Sequence, residues 1–560
     1  MIESHKRTRA QESSNAIERM YITMRHLFNR GFYKPMGVSG ETLREALLEL
    51  RPEIYGSIGE DKAELEGLSY VLDRLPIGIE ECRFINLTSD EGFGDSHFEV
   101  IIPRRRRRNC YRIDEEQMNI EVTRGRSEIY DILTHLTFLF IESHKLARAV
   151  LINDNKNTTR DWKKIEAIAT STEIDEETRE VGITHLASVM SRTFEEIRHV
   201  YPRFATLENP DRFLHFIYNL GRLAIDEVTG DDKRTVTFSA VLRERLGHHI
   251  HGARWARNIK TTLEQRGWLQ RPLHIISSNL HSVMNVLHAQ RALPDLCAEH
   301  GVMETYSKLS EDSQGQLRQR VTDEALAHGM IYIKDRSGAN IDVQLFDLAQ
   351  DVFGNAGDET APVLIVMDYA FGEQAYEVMD ELLRSYETDA GTGNLNVKSI
   401  NIMGKAGILD GNKGDIMIPN AHLFEGTADN YPFKNQLSKS DFEGQGVPCV
   451  KGTMITVLGT SLQNRDILEF FKASSWNVMG LEMEGAHYQK AIQAASRIRM
   501  SIKKKVDLRY AYYASDNPLM TGHTLASGGL GLTGVRPVYL ITETILKQIQ
   551  NNQPKPTIDE

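Results

Sequence analysis

The sequence predicts an α/β protein, with a C-terminal three-layer α/β sandwich on a mixed sheet preceded by a mainly helical domain. Through most of residues 1–268, apolar residues recur at helical spacing, as in helices with one buried face. Beyond that point short β-rich runs alternate with helical segments, which is typical of a largely buried sheet covered by helices. We therefore expect domains at 1–268 and 269–550, followed by a mobile tail at 551–560.

Length and composition exclude several classes of protein. The chain has 560 residues, of which 41% are hydrophobic and 26% charged, as in soluble globular proteins of more than one domain. No apolar run reaches the ~18 residues of a membrane span, and the N-terminal residues lack the apolar core of a signal peptide. The net charge of -12 argues against a nucleic-acid partner. We expect a cytoplasmic protein with no nucleic-acid or membrane partner.

The small number of cysteines is also consistent with a reducing cytoplasm. The chain has only four, too scattered for a zinc knuckle and too few for a disulfide framework. They are Cys82, Cys110, Cys297 and Cys449.

Within the helical half, residues 93–123 alternate more like strands and predict a small hairpin. This stretch contains five consecutive arginines, Arg104 to Arg108. One interpretation is a solvated loop or an oligomer contact beside acidic neighbours. The other is a phosphate or nucleotide effector site, because arginine forks match phosphate oxygens.

Histidines in this half raise the question of a metal site. His135 and Glu142 could share one helix face, and "GHHIHG" contains His248, His249 and His251. Neither group has a ligand spacing such as H-E-x-x-H. We therefore expect no metal site, and nothing in the sequence indicates a cofactor.

The second half begins with repeated strand, turn and helix segments. "PLHIISSNLHSVMNVLHAQ" and "APVLIVMDYAFGEQAYEVMDELL" share that plan, and "VKSINIMGKAGILDGNKGDIMIP" predicts two strands around a glycine-bearing turn. Ligands of such sheets collect at the strand ends, where helix N-termini offer free N–H groups. The candidate binding residues there are Asn279, His281, Ser282, Tyr369, Gly404, Lys405 and Gly407.

Two acidic motifs follow. "NVMGLEMEGAHYQKAIQ" (477–493) has Glu482, Met483 and Glu484 at the start of an apparent helix. "YYASDNPLMTG" has Ser515 and Asp516 at the end of an apparent strand. Acids at a helix N-terminus also suit the helix dipole, so a purely structural role for the two glutamates stays open.

Taken in order, these segments resemble the nucleoside phosphorylase and nucleosidase superfamily, and in local wording the AMP nucleosidases. The resemblance covers about 270–550. "VMGLEMEGA" is similar to the ribose-binding segment of the superfamily, and "YYASDNPLMTG" to its catalytic serine-aspartate turn. "IVMDYAFGEQA" and "NIMGKAGILDGNKGDIMIP" correspond to two further turns. The resemblance implies a nucleoside phosphorylase-like sandwich, whereas residues 1–268 resemble no part of the superfamily.

The chemistry of such a site follows from the charges that develop. Cleaving a bond between ribose and a purine builds positive charge on the sugar and negative charge on the base. The resemblance implies that Asp516 protonates the purine N7 and that Ser515 orients it; burial favours the protonated carboxyl. Glu484 would accept hydrogen bonds from the ribose hydroxyls, with Met483 packed against the sugar. Glu482 would share that role or support it from behind.

The phosphate side of the site differs from that of the phosphorylases. Where their arginines are expected, this chain has His281 or Ser282 and, near the glycine turn, Ile402. Lys405 could supply a point charge, without the bidentate geometry of arginine. Water is therefore favoured over phosphate as the nucleophile.

Further roles are assigned only approximately. Asp368 and Glu373 are candidates for activating water, and Tyr369 for contacting the 5′ end of the sugar. We predict hydrolysis of the N-glycosidic bond of a purine nucleoside or nucleotide. The alternatives are a phosphate-dependent phosphorylase and a non-catalytic nucleotide-binding sensor. A homo-oligomer is expected, because closed symmetric assemblies are common among such enzymes.

Overall fold

A computed structural model describes residues 8–152, 157–230, 232–349, 361–388, 391–425, 427, 429–521 and 531–551. They divide into two compact units. The first comprises the chain up to His248 together with Ser461–Ile467, and the second comprises the remainder. Of the predicted mobile tail, all but the first residue falls outside the described residues.

Helices make up most of the first unit. They are α1 (Arg9–Arg30), α2 (Glu41–Leu50), α3 (Leu65–Leu72), α4 (Gly125–Val150), α5 (Arg160–Ala169), α6 (Glu176–Val189), α7 (Phe194–Phe204), α8 (Arg212–Thr229) and α9 (Ala240–Arg245). Several begin with a side-chain cap: Thr8, Thr159, Asp175, Thr193 and Ser239 each accept a hydrogen bond from a backbone N–H group in the first turn. Helix α4 is buried along most of its length and forms the centre of the unit.

The first unit also contains a six-stranded mixed sheet in the order β1-β8-β2-β5-β4-β3. Its strands are β1 (Phe32–Tyr33), β2 (Phe84–Thr88), β3 (Val100–Ile101), β4 (Cys110–Arg112), β5 (Gln117–Glu121) and β8 (Thr235–Phe238); β6 (Leu151–Ile152) and β7 (Asn157–Thr158) form a separate pair. The antiparallel strands β3, β4 and β5 lie within 93–123, where the sequence predicts a hairpin. The sheet extends further, because β2 pairs parallel with both β5 and β8.

The arginine run is divided between the interior and the surface. Arg106 and Arg108 bind Asp131, with nitrogen–oxygen distances of 2.6–2.8 Å, and Arg108 is 3% exposed. Arg104 and Arg105 are exposed and lie 3.9 Å from the carboxylate of Asp73. Burial alone would raise the pKa of Asp131, but Arg106 and His135 hold it well below its usual value. The acidic neighbours of the run are thus provided by the same unit, and two of its arginines are structural.

The second unit begins earlier than residue 269. Helix α10 (Ile250–Gln265) has a periodicity like that of the preceding helices, yet its apolar face lies in the core of the second unit. Trp255 Nε1 donates to the Ile341 carbonyl at 2.9 Å, and Lys260 Nζ donates to the Glu381 carbonyl at 2.8 Å. The change near residue 270 from helical spacing to short β-rich runs therefore marks the first strand of the second unit and not the start of that unit.

The remaining helices lie in the second unit, except that the first three residues of α16 belong to the first unit. They are α11 (Leu280–Ala292), α12 (Pro294–His300), α13 (Val302–Glu311), α14 (Gln316–Ala327), α15 (Gln374–Leu382), α16 (Arg465–Ala473), α17 (Gly485–Gln493), α18 (Pro518–Thr521) and α19 (Val535–Asn551). Among the described helices of the whole chain, none combines the length and apolarity that crossing a bilayer requires.

The sheet of the second unit has ten strands, both parallel and antiparallel. They are β9 (Leu273–Ser277), β10 (Ile331–Ile333), β11 (Val343–Asp347), β12 (Val363–Met367), β15 (Val397–Ile408), β16 (Ile416–Phe424), β17 (Asn430–Pro432), β18 (Cys449–Thr456), β19 (Val478–Glu482) and β20 (Asp507–Asp516); β13 (Tyr386–Thr388) and β14 (Gly391–Gly393) pair separately. The order is β10-β11-β12-β9-β15-β19-β18-β16-β17. Strand β20 pairs with both β15 and β16, which closes one part of the sheet into a ring.

Helices cover both faces of this sheet. Successive strand residues point to opposite faces, so Ile275 joins one apolar cluster and Ile276 the other. The first cluster includes side chains of α10, α15 and α17, and the second includes those of α11, α13 and α19. The predicted α/β class, with a mixed sheet between two helical layers and a helix-rich part before it, is confirmed.

Candidate active site

Strand β15 brings the sequence motifs of the second unit together. Gly407, the last residue but one of this strand, lies opposite Asp516 of β20 on one side and opposite Leu481 of β19 on the other. The same strand pairs with β9, with Ile402 opposite Ser277. The ends of four separate chain segments therefore meet around the C-terminal part of β15, as ligand sites of open α/β sheets do.

Ser515 and Asp516 lie at an irregularity in the sheet. The register between β15 and β20 shifts after Ala406, where Gly407 pairs with Asp516. Ser515 Oγ is 2.6 Å from Asp516 Oδ1 and 3.2 Å from the Ala406 carbonyl, and both side chains are buried. A hydroxyl that contacts both groups fixes the direction in which the carboxyl points.

Glu482 is bound within the protein. Its carboxylate accepts hydrogen bonds from the backbone N–H groups of Glu484 and Gly485 and from the Thr456 hydroxyl. Thr456 Oγ1 in turn accepts the Ala486 N–H at 2.8 Å. These contacts close the N-terminus of α17, as a helix cap does. Burial and the neighbouring Glu484 raise the pKa of the Glu482 carboxyl above its usual range. Support from behind fits this geometry better than direct ribose binding, which stays a prediction.

Glu484 is half-buried and has a different environment. Its Oε1 accepts the backbone N–H of Gly372 at 2.9 Å. Burial raises the pKa of Glu484 to about 7, although that hydrogen bond and the charge of Lys405 oppose the rise. Met483, between the two glutamates, is half-buried, and the Lys405 side chain is exposed. Glu484 thus has a partly exposed carboxylate with the cation of Lys405 nearby. Such a carboxylate can accept hydrogen bonds from the hydroxyl groups of a ligand.

The residues after β9 mainly form the start of α11. Asn279 is the N-cap: its Oδ1 accepts the Ser282 N–H at 2.9 Å, and Ser282 Oγ lies 3.2 Å from the Asn279 carbonyl. Ser282 is buried, whereas His281 is exposed in the first helical turn. Their contact with a substrate remains a prediction.

Tyrosines line the region between β12 and β20. Tyr369 and Tyr513 have their hydroxyls 3.2 Å apart, and the Asn279 side chain hydrogen-bonds with both. Gly404 leaves room here, because a Cβ added to it would lie 3.7 Å from the Tyr369 ring. Asp368 Oδ1 accepts the Tyr369 N–H at 2.8 Å, and Glu373 lies at the N-terminus of α15.

His422 is a residue near the site that the sequence does not predict. His422 of β16 is fully buried, with Nε2 3.1 Å from the Tyr512 hydroxyl, and burial lowers the pKa of its imidazole to about 3. Both side chains occupy the space that a Cβ at Gly485 would need. Tyr512 lies in the "YYASDN" motif, but His422 is far away in sequence and no local signal points to it.

The histidines considered as metal ligands in the first unit have other partners. His135 Nδ1 is 3.1 Å from the Tyr55 hydroxyl, and its Nε2 is 3.2 Å from Asp131. Glu142 pairs with Lys145 at 2.7 Å. His135 and Glu142 therefore do not share a site.

In the second unit, His249 lies close to Asp380 and Glu381, with ligand atoms within 4.8 Å of one another. Arg499 and Arg384 pair with Asp380 at 2.8 and 3.1 Å. Because these arginines balance the acidic charge, the group resembles an ion-pair cluster more than a metal centre. His251 Nδ1 contacts the Ser337 carbonyl at 2.8 Å.

Comparison with known proteins gives a family. A model of a family of unknown function, DUF6909, matches residues 41–293 and 301–551. The chain belongs to this family. The match to the DUF6909 model extends over both units, so the helix-rich part is a regular component of the family. No curated protein matches the sequence.

Solved structures with similarity to this DUF6909 protein include three nucleosidases or related hydrolases. One is the 5'-methylthioadenosine/S-adenosyl homocysteine nucleosidase of Campylobacter jejuni (10% identity, TM-score 0.31, 50% of this chain and 99% of that chain). Another is a futalosine hydrolase mutant of Helicobacter pylori (12%, 0.30, 50% and 99%). The third is a putative methylthioadenosine nucleosidase from Weissella paramesenteroides (11%, 0.30, 50% and 100%). These scores do not establish a shared activity.

Proposed function

We propose that the second unit hydrolyses the N-glycosidic bond of a purine nucleoside or nucleotide, in the manner of an AMP nucleosidase. One observation carries the proposal: Gly407 of β15 pairs with Asp516 on one side and Leu481 on the other. Asp516, the acid proposed for the base, ends one strand beside this glycine, and Glu484, the carboxylate proposed for the sugar, comes two residues after the end of the other. Enzymes of this kind are homo-oligomers in many cases, and we propose the same here.

The proposed role of each residue follows from the charge that develops next to it during the reaction. Asp516 donates a proton to the purine N7 as the bond breaks, and Ser515 holds the carboxyl in one direction. Glu484 accepts hydrogen bonds from the ribose hydroxyls and stabilises the positive charge that develops on the sugar. Glu482 acts indirectly, by fixing the first turn of α17 and hence the position of Glu484. Water is the nucleophile, and Asp368 and Glu373 are the acids available in the loop that follows β12.

A phosphorylase is the second candidate, and Lys405 is the observation in its favour. Its charge acts on Glu484, so an anion bound beside the ribose would meet a cation there. Ile402, near the place of the second phosphate-binding arginine, is buried in the apolar core. Water therefore remains the preferred nucleophile.

Base release from AMP, adenosine, inosine, guanosine and methylthioadenosine, with and without inorganic phosphate, tests the proposal. We expect phosphate-independent release of the base together with free ribose or ribose 5-phosphate. Release that requires phosphate would establish the phosphorylase. Tight nucleotide binding without release under either condition would contradict catalysis and favour a sensor.

A further inference from the structure

The loop between β12 and α15, Asp368–Glu373, contacts α17 through its backbone. Gly372 is buried and has a φ of +55°, in the left-handed region that glycine adopts without strain. In that conformation its N–H points at Glu484 Oε1, at a distance of 2.9 Å. The Ala375 N–H donates to the Gly372 carbonyl at 3.0 Å, which closes the turn.

Gln374 holds this turn in place. It is 2% exposed, its Oε1 accepts the Phe371 N–H at 3.1 Å, and its Nε2 donates to the Ala339 carbonyl at 2.6 Å. Both ends of the buried amide are thus used to fasten the loop to the segment before β11. A buried polar side chain with both partners made resists displacement, because losing either bond leaves an unpaired group.

From these contacts we infer that Gly372 is a positioning residue, whose backbone N–H orients the Glu484 carboxylate, and that Gln374 holds the Gly372 turn in place. The inference rests on the proposed function in taking Glu484 as the ribose-binding carboxylate. The Gly372 N–H fixes one oxygen of the Glu484 carboxylate, and under the proposed function the carboxylate accepts hydrogen bonds from the sugar hydroxyls. The same N–H also favours the charged form of the carboxyl, which is the better acceptor for hydroxyl groups.

Other groups act on Glu484 from the elements packed around it. Besides Gly372, the backbone N–H of Met483 and the charge of Lys405 of β15 lower the pKa of its carboxyl. Electrostatic coupling also links it to Glu482 at the end of β19, to Tyr488 of α17 and to Tyr512 of β20. Because the N–H of Gly372 is an uncharged and fixed donor, its effect differs from that of the charged groups: it depends on loop geometry and is insensitive to ionic strength.

Nuclear magnetic resonance of the full chain labelled with 15N-glycine tests the contact without any need for activity. The Gly372 amide signal is identified as the signal missing from Gly372→Asn. We expect it to move with pH, with a midpoint near 7, and to lose that movement in Glu484→Gln. A Gly372 signal that stays constant between pH 5 and 9 in the unsubstituted protein would overturn the inference.

The pH dependence of kcat/KM for a cleaved riboside supplies a second readout. Gly372→Pro removes the donor but also displaces the turn, because proline cannot adopt the positive φ found here; Gln374→Leu loosens the loop and keeps every N–H. Each should raise the midpoint of the acidic limb by about half to one pH unit. Gly372→Asn keeps the N–H and tolerates the left-handed backbone, so it should restore the midpoint that Gly372→Pro displaces. If Gly372→Pro does not fold, Gln374→Leu is the test variant. An acidic limb of kcat/KM with the same midpoint in Gln374→Leu as in the unsubstituted protein would contradict the inference.

Failure of the proposed function would be recognised separately. If the unsubstituted protein cleaves none of the ribosides, the hydrolase proposal fails, while the amide titration still shows whether Gly372 responds to Glu484. The other outcome is an active protein in which the pH dependence of the Gly372 signal is unchanged in Glu484→Gln and the acidic limb is unchanged in the Gly372 and Gln374 variants. In that case the hydrolase proposal stands and the inference about Gly372 is wrong.

Discussion

Gly485→Ala is expected to destabilise the second unit, because the space beside this glycine is already filled. A Cβ added to Gly485 would lie 2.7 Å from the Tyr512 hydroxyl and closer still to the ring of His422. Neither ring can retreat freely, since His422 is fully buried and stacked on Phe433. Overpacking of a core typically costs about 1–3 kcal/mol. Separating His422 from Tyr512 adds about 1 kcal/mol for the lost hydrogen bond.

The expected loss is therefore about 2–4 kcal/mol, or about 3–6 °C in the melting temperature of a unit of this size. Calorimetry of the intact protein is the assay, because two units need not unfold in one transition. Gly404→Ala is the matched control: its Cβ would have ordinary contacts, at 3.7 Å from Tyr369 and 4.0 Å from Tyr512. Equal melting temperatures for Gly485→Ala and Gly404→Ala would refute the reasoning.

Three further outcomes are expected. Asp516→Asn should lower kcat for base release by ~10²-fold or more while riboside binding persists, and unchanged turnover would remove Asp516 as the acid. Arg108→Ala should cost the first unit about 1.5–3 kcal/mol because it removes a buried charge-assisted hydrogen bond to Asp131, which keeps its pairing with Arg106, whereas Arg105→Ala should change little; urea unfolding compares the two. The pKa of the Glu482 carboxyl is raised in the folded state, so the folded protein retains its proton at a pH where the unfolded chain has lost it. The free energy of unfolding should accordingly fall as pH rises from about 4.5 toward that raised pKa, and this fall should be weaker in Glu482→Gln.

Local patterns predict the parts of the fold that are long and periodic. The strand, turn and helix plan of the second half is present, because strands such as Val363–Met367 are apolar runs flanked by turn residues. The sheet of the first unit could not be predicted in the same way. Its strands Phe32–Tyr33 and Val100–Ile101 have two residues each, too few to show alternation. Helix α10 is periodic like its predecessors, and nothing in its own sequence indicates the unit it joins.

For the site, sequence motifs identify residue types more readily than their partners. "SDN" and "EME" give Ser515, Asp516, Glu482 and Glu484 directly, and β15 lies between the strands that end in these two motifs. The sequence cannot say that Glu482 caps α17 while Glu484 remains half-buried, since both are glutamates beside one methionine. That distinction depends on Thr456 and Gly372, which belong to distant segments.

The double pairing of β20 has a consequence for synthesis of the chain. Strands β15 and β16 leave the ribosome well before β20, and until it arrives each has an unpaired edge that another molecule could extend. A chain that ends before Asp507 would keep those edges open and would also lack Asp516. Premature termination should therefore yield aggregates rather than a partly active fragment. Strand β20 both covers the open edges of β15 and β16 and carries Asp516, the proposed acid.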